Sequence, residues 1–448
     1  MKHIIFTAAV LYSAAVLFFS CATADAYVPI DSAVSSGAYG NAAAAVESEK
    51  NTLYGKNSAI LYYLDGGMLH HYAESYDESI RLLQDGEQAI QDAYTKSVTQ
   101  TAASLFINDT TLDYAGEDYE DIYINAFNAL NYYHMGDIDG ALVEVRRMNE
   151  KLEYLTTKYA AMKQKLQEEA EKESGGSAVQ SPEFQVSKFA NSALGRYLSM
   201  LFYRGTGGAD DARIDREWLQ AAYANAPEIY NFPLPASVDQ ELNIPSGKAR
   251  LNVIGFGGLS PIKRENIIRI PIGIGLGEYI KIALPELQYR PSQITRIAVV
   301  LDGGETFNLE KIENMEAVSR ETFQSKIGLL TFKTTLRATV KAVSAKAASD
   351  IGKNMADSDD SNVAMVGNIL KLVGAIGKVT NELSEQADLR ASRYFPGNAY
   401  VGGITLEPGT YSFTINYYGN NGLLESIRKQ DVKVDARRLN LTEVVCLK

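Results

Sequence analysis

Two kinds of hydrophobic spacing divide the chain near Gly247, and each permits one kind of secondary structure. From Tyr27 to about Pro235, apolar residues recur three and four apart, the period of a helix with one buried face. After Gly247 they gather in short branched runs separated by Gly, Pro and Ser: Leu251 to Phe256, Ile267 to Ile274, Tyr279 to Leu284 and Ile294 to Leu301. Such runs form strands. The style returns in Thr410 to Tyr418, the turn Gly419-Asn420-Asn421-Gly422, Ile427 to Val434 and Leu441 to Leu447. Between the strand groups, residues 309–390 read as a helical insertion that includes Met315, Val318, Phe323 and the basic stretch Arg337 to Lys346. The expected fold class is therefore α+β. An N-terminal α-helical repeat domain spans 21–235 and a linker 236–247, inside the Pro-rich stretch Asn231 to Gly247. A β-sandwich-like domain with the insertion spans 248–448.

Self-similarity sharpens the helical half. In Ala126 to Met148, Ala129 and Tyr132 lie on one helix, Gly136-Asp137 breaks it, and Ile138, Ala141, Leu142 and Val145 continue the apolar stripe. Ala141 must be small because two helices cannot approach closely with a large side chain at their crossing. Leu61 to Ala89 repeats the offsets with Gly67, Tyr76, Ser79, Leu83 and Gly86; Tyr39, Ala42 and Val46 form a half-unit, and Ala193 to Pro227 a degenerate one. The pattern resembles a tetratricopeptide repeat, with a plain helical bundle as the alternative. Such stacks offer a concave groove to a peptide or protein segment. On that reading Tyr72, Tyr76, Tyr132 and Tyr133 are the candidate partner-binding residues. Tyrosine joins an apolar ring to a hydrogen-bonding hydroxyl, and the chain holds 27 of them. Packing between helices is the other use for such rings.

The N-terminus sets location. Met1-Lys2-His3, the apolar run Ile4 to Phe19 and small Ser20 describe a secretory signal over 1–20, too short for a comfortable membrane span. Leu17-Phe18-Phe19-Ser20-Cys21 resembles a relaxed bacterial lipobox, which makes Cys21 the lipidation site and the membrane a partner through its acyl chains. Cleavage at Ala22-Thr23-Ala24 and no processing at all are the competing readings. Ala22 stands where an inner-membrane retention signal has Asp, which favours the outer membrane, facing the periplasm. The other cysteine, Cys446, reads as a buried strand residue.

Composition and spacing argue against several chemistries. A net charge of -12 with scattered Lys and Arg does not suit nucleic acid. His70 and His71 are adjacent and point to different helix faces, so they form no metal pair. Surface or packing positions are expected for them. Asp357 to Asn362 lacks the Gly and the twelfth-position acid of a calcium loop. Gly273 to Gly277 is Gly-rich but opens no helix, as a phosphate cradle must. The expectation is a protein without catalytic, cofactor or metal residues. The helical segment Val363 to Leu383, with Gly367, Gly374 and Gly377 on one face, is either a docking helix or one packed on its own domain.

Across the mature chain the sequence resembles a family of uncharacterised bacterial envelope lipoproteins. The likeness rests on Asn128 to Tyr132, Gly136-Asp137, Ala141 to Arg147, Ile282 to Pro285 and Ala387 to Arg390. After the last segment that family has a Trp and Leu-Pro, where this chain reads Ala391 to Pro396. The resemblance implies an envelope role and supplies no reaction or ligand. The function expected is a protein-binding scaffold that holds envelope proteins in its repeat groove. The alternative is an accessory subunit in peptidoglycan or polysaccharide assembly, whose β domain binds the glycan or its synthase.

Overall fold

The computed structural model describes residues 26–99, 109–173, 187–271, 279–342 and 386–448. Cys21 and its leader, the Gly-rich run 273–277, the acidic run 357–362 and the segment 363–383 read from sequence as a helix lie outside them. The described residues are α+β, helices first and strands after.

Among the described residues eight helices fill the N-terminal half: α1 (26–35), α2 (Tyr39–Ser48), α3 (Ala59–Tyr72), α4 (Tyr76–Thr99), α5 (Asp118–His134), α6 (Ile138–Glu173), α7 (Ala193–Thr206) and α8 (Ala209–Asn225). They pair as hairpins α3–α4, α5–α6 and α7–α8, and α4–α5 and α6–α7 contacts set the hairpins side by side. The turn from α5 to α6 passes through Gly136 at φ 83°, a left-handed value that a side chain would strain. Small residues stand where helices cross. A Cβ on Gly67 would lie 2.7 Å from Leu83 Cγ. The Ser79 hydroxyl reaches back to donate to the Gly67 carbonyl at 2.8 Å, and Ala126, Ala129 and Ala141 are buried.

After the short helix α9 (Ser237–Gln240), strands β1 (Ala249–Gly257), β4 (Ile294–Leu301), β5 (Thr306–Asn314), β6 (Asn398–Leu406), β7 (Gly409–Gly419), β8 (Gly422–Val434) and β9 (Asn440–Cys446) form the C-terminal half. The hairpin β2 (Ile262–Pro271) and β3 (Tyr279–Gln288) stands apart. Seven strands make one sheet in the order β8-β7-β4-β5-β6-β1-β9. The sheet curls until β8 and β9 meet, a nearly closed barrel where two packed sheets were expected. Pairing runs without a break through β4, β5, β6 and β1, and bulges between Lys311 and Glu313 and between Tyr411 and Phe413 add the twist that curling needs. Leu251, Val253, Ile297, Val299, Phe413 and Ile415 fill the interior.

The helical insertion starts at Met315, with α10 (Met315–Ala342), and not at 309. Leu309, Ile312 and Met315 are three apart and so imitate a helix. The structure gives a strand whose alternation is interrupted by a bulge between Lys311 and Glu313, with Leu309 turned into the barrel and Ile312 onto the helices. A two-stranded ribbon such as β2–β3 is marginal by itself; α10 packs along β3.

The barrel's outer wall lies on the helices. β1 is buried along its whole length because one face fills the barrel while Ile254 and Phe256, on the other, join the helical core. One contiguous cluster runs from Leu64, Met68, Phe127 and Phe202 to Phe256, Val401 and Leu441. Phe127 anchors it, its ring centroid 5.0 Å from that of Phe256 and 6.0 Å from that of Phe395. The stretch 236–247 is packed too, with Val238 and Glu241 fully buried. No helix among the described residues is long and apolar enough to cross a membrane.

Crossing geometry makes a contrast between two glycines. Gly67→Val should lower stability by about 1–3 kcal/mol through overpacking. Gly40→Ala in α2, where a Cβ meets nothing within 4 Å, should raise it by roughly 0.5–1 kcal/mol. Urea denaturation of each variant checks both signs.

Candidate functional site

The four tyrosines singled out by the repeat reading do not converge on an open groove. Tyr72 is buried, and its hydroxyl donates to the Tyr394 carbonyl at 2.9 Å. The Tyr133 hydroxyl donates to the Leu439 carbonyl at 3.2 Å and accepts from the Leu441 amide at 2.9 Å. Both therefore hold this chain's own C-terminal half. Tyr76 stacks on His134, ring centroids 4.6 Å apart, and the Tyr132 hydroxyl accepts from Gln84 at 3.0 Å.

At the centre of the junction Glu443 of β9 faces two histidines. His71 Nε2 lies 2.7 Å from one carboxylate oxygen and His134 Nε2 lies 2.9 Å from the other. The other ring nitrogen of His71 is 2.6 Å from Asn131 Oδ1. Asn131 turns its amide nitrogen to Ser79 and Asn128, which leaves Oδ1 as the acceptor. Both nitrogens of His71 thus meet acceptors, an arrangement that only the imidazolium satisfies. Burial alone would push His71 down, but the charge of Glu443 and its hydrogen bond outweigh this and raise its pKa. Burial would push Glu443 up, and the charge of His71 with both histidine hydrogen bonds carries it well down instead. His71 is a buried ion-pair partner, not the surface or plain packing residue expected.

The signs fix a pH window. His71, raised above its ordinary 6.5, gives its full stabilisation below that value and loses it as the pH rises through its folded pKa. Glu443, lowered from 4.5, contributes above that value and loses it as the pH falls through its folded pKa. Stability measured by urea should therefore decline on the alkaline side. Glu443→Gln should flatten that decline and cost about 3–5 kcal/mol near pH 6, the penalty for leaving a buried charge unpaired.

Other carboxylates tie the same junction. Glu313 of β5 is fully buried and accepts from the Ser192 hydroxyl at 2.9 Å, the Tyr230 hydroxyl at 2.9 Å and the Leu194 amide at 3.0 Å, so it closes the first turn of α7 from the barrel side. Asp65 of α3 accepts from the Ser392 hydroxyl at 2.7 Å and the Arg393 amide at 2.8 Å. Burial holds it up to about 6 despite these bonds.

Beside this junction a cavity of about 210 Å³ opens between α4, the start of α5, the β2–β3 ribbon and α10. Its walls include Leu112, Ala283, Pro285, Leu329 and Leu330, and its floor is charged. Glu117, the N-cap of α5, accepts from the ammoniums of Lys263 and Lys326, the latter at 3.0 Å. Burial would raise Glu117, but the two lysine charges outweigh it and hold the carboxyl at about 2. One turn on, Glu120 is pushed up to about 7, by burial and then by the charge of Glu117. It accepts from the Tyr114 hydroxyl and the Glu117 amide, both at 2.8 Å, and from the Ser392 amide at 2.6 Å. Glu117→Leu would strand the buried Lys263 ammonium and the part-buried one of Lys326 and should cost about 3–5 kcal/mol. Lys326→Met, which leaves the Glu117–Lys263 pair intact, should cost less than half as much in urea titrations.

Among the described residues no group of three or more His, Cys, Asp or Glu could hold a metal ion. Cys446 is buried in the barrel, and burial pushes its thiol up to about 12. Sequence reasoning missed Glu117, Lys263, Lys326 and Glu443. The available signal was a charge inside an otherwise apolar run, as Glu443 stands between Leu441 and Val444-Val445. No protein family, no curated protein and no solved structure matches the chain.

Proposed function

We propose that the chain is an exported bacterial lipoprotein, held through acylated Cys21 at the periplasmic face of the outer membrane, that binds a partner without transforming it. Leu17 to Cys21 supports the anchor, since a small residue precedes a cysteine at the end of a short apolar run. Side-by-side hairpins with Gly67, Ser79 and Ala141 at small positions support assigning the helices to the tetratricopeptide-like class. Stacks of that class commonly receive partners on the inner face. Here Tyr72 and Tyr133 are engaged by residue 394 and by the entry to β9, so we move the partner contact from the groove to the neighbouring cavity.

That cavity carries the binding reading. Apolar walls lie over a floor of ion pairs, Glu117 with Lys263 and Lys326, and Asp118 with Lys158 at 2.6 Å. Such a lining suits holding a largely apolar body with a polar end. The anchor is tested by growth on radioactive palmitate. Label should enter the wild-type chain and be lost in Cys21→Ser, and equal incorporation in both would remove the lipoprotein assignment.

A further inference from the structure

We infer that the cavity takes an amphiphile with an anionic head, its head on the ammoniums of Lys263 and Lys326 and its aliphatic body along Leu329, Leu330, Ala283 and Pro285. This rests on reading the cavity as a binding site. The charge pattern of the floor selects the sign of the head. Lys263 and Lys326 both donate to the same oxygen, Oε1 of Glu117, so two positive charges share one negative. Adjacent acids hold cations of their own: Asp118 is paired with Lys158 at 2.6 Å and Asp388 with Arg390 at 2.8 Å.

Hydrogen-bond counting points the same way. Lys263 also donates to the Arg390 carbonyl at 2.8 Å, and Lys326 to the Gly116 carbonyl at 3.3 Å. An ammonium has three N–H groups, so each retains one beyond these bonds. A carboxylate or phosphate oxygen would accept them and supply the missing charge. A cationic head would face two ammoniums, and a neutral one would leave their charge unmatched. The body must be aliphatic because the wall beside Lys326 is built from Leu329 and Leu330 on α10 and from Ala283 and Pro285 on β3.

The test is displacement of a dansyl-labelled undecanoate from the purified full chain, at concentrations below micelle formation. Dodecanoate and dodecyl phosphate should displace it, while dodecanol, dodecyltrimethylammonium and inorganic phosphate alone should not. Lys326→Met should weaken binding at least tenfold with an unchanged circular dichroism spectrum, and Lys326→Arg should stay within about threefold of wild type. Leu330→Asp, on the apolar wall, should abolish binding. Tighter binding of dodecanoate than of a lysophosphatidylglycerol would identify a free fatty acid as the source, and the reverse order a membrane lipid; either supports the inference. Equal displacement by dodecanol or the trimethylammonium ion would overturn the anionic head while leaving the cavity a binding site. A folded chain that binds none of these probes would overturn both.

Discussion

A stack of helical hairpins and a curled sheet each leave an apolar face that water penalises, and in this protein each covers the other's. The inner helices α3, α5 and α7 contribute Met68, Phe127 and Phe202, and the barrel wall answers with Phe256, Val401 and Leu441 in one cluster. Burial of this kind is non-directional and worth roughly 25 cal/mol for each Å² of apolar surface removed from water. It explains why the halves associate but not in which register.

Register is set by polar groups placed inside the dry contact. A buried polar atom without a partner is costly, so any sliding of barrel against helices would break several bonds together. His71 must meet Glu443 while its other nitrogen meets Asn131; Glu313 must reach the first turn of α7; Asp65 must meet Ser392 and Arg393. Apart from His71 with Asn131, these contacts join residues more than a hundred positions apart. They also change what the stack of helical hairpins can do. Its inner face serves as a clamp on the chain's own barrel, and an accessible cavity lies to one side, where Lys263 from the β2–β3 ribbon and Lys326 from α10 complete a wall begun by α4 and α5.

How much of this was legible depends on distance along the chain. Gly67, Ser79, Gly136 and Ala141 act within one hairpin, so their spacing exposed the helices and their crossings. Strands β4, β7, β8 and β9 were readable from branched runs and from the turn at Gly419 to Gly422. Strand β5 was not, because the bulge between Lys311 and Glu313 interrupts its alternation, and Leu309, Ile312 and Met315 then fall on a helical period. Closure into a barrel was hidden as well, since it depends on bulges that no composition signals. The candidate site was least legible. Tyr72 and Tyr133 were noticed as rings, but their acceptors come from residue 394 and the start of β9. Glu117 meets Lys263 and Lys326, and Glu443 meets His71 and His134, only once both halves are folded together.

The claim that the helical array and the barrel form one body is tested most directly by hydrogen exchange with mass spectrometry across a urea series. The account predicts that amides of α3, α5 and α7 and those of β1 and β9 lose protection at the same urea concentration, because neither half keeps its apolar face covered without the other. Loss of protection in the strands at a lower or higher concentration, with the helices still or already exchanging, would mark two independent modules and contradict it.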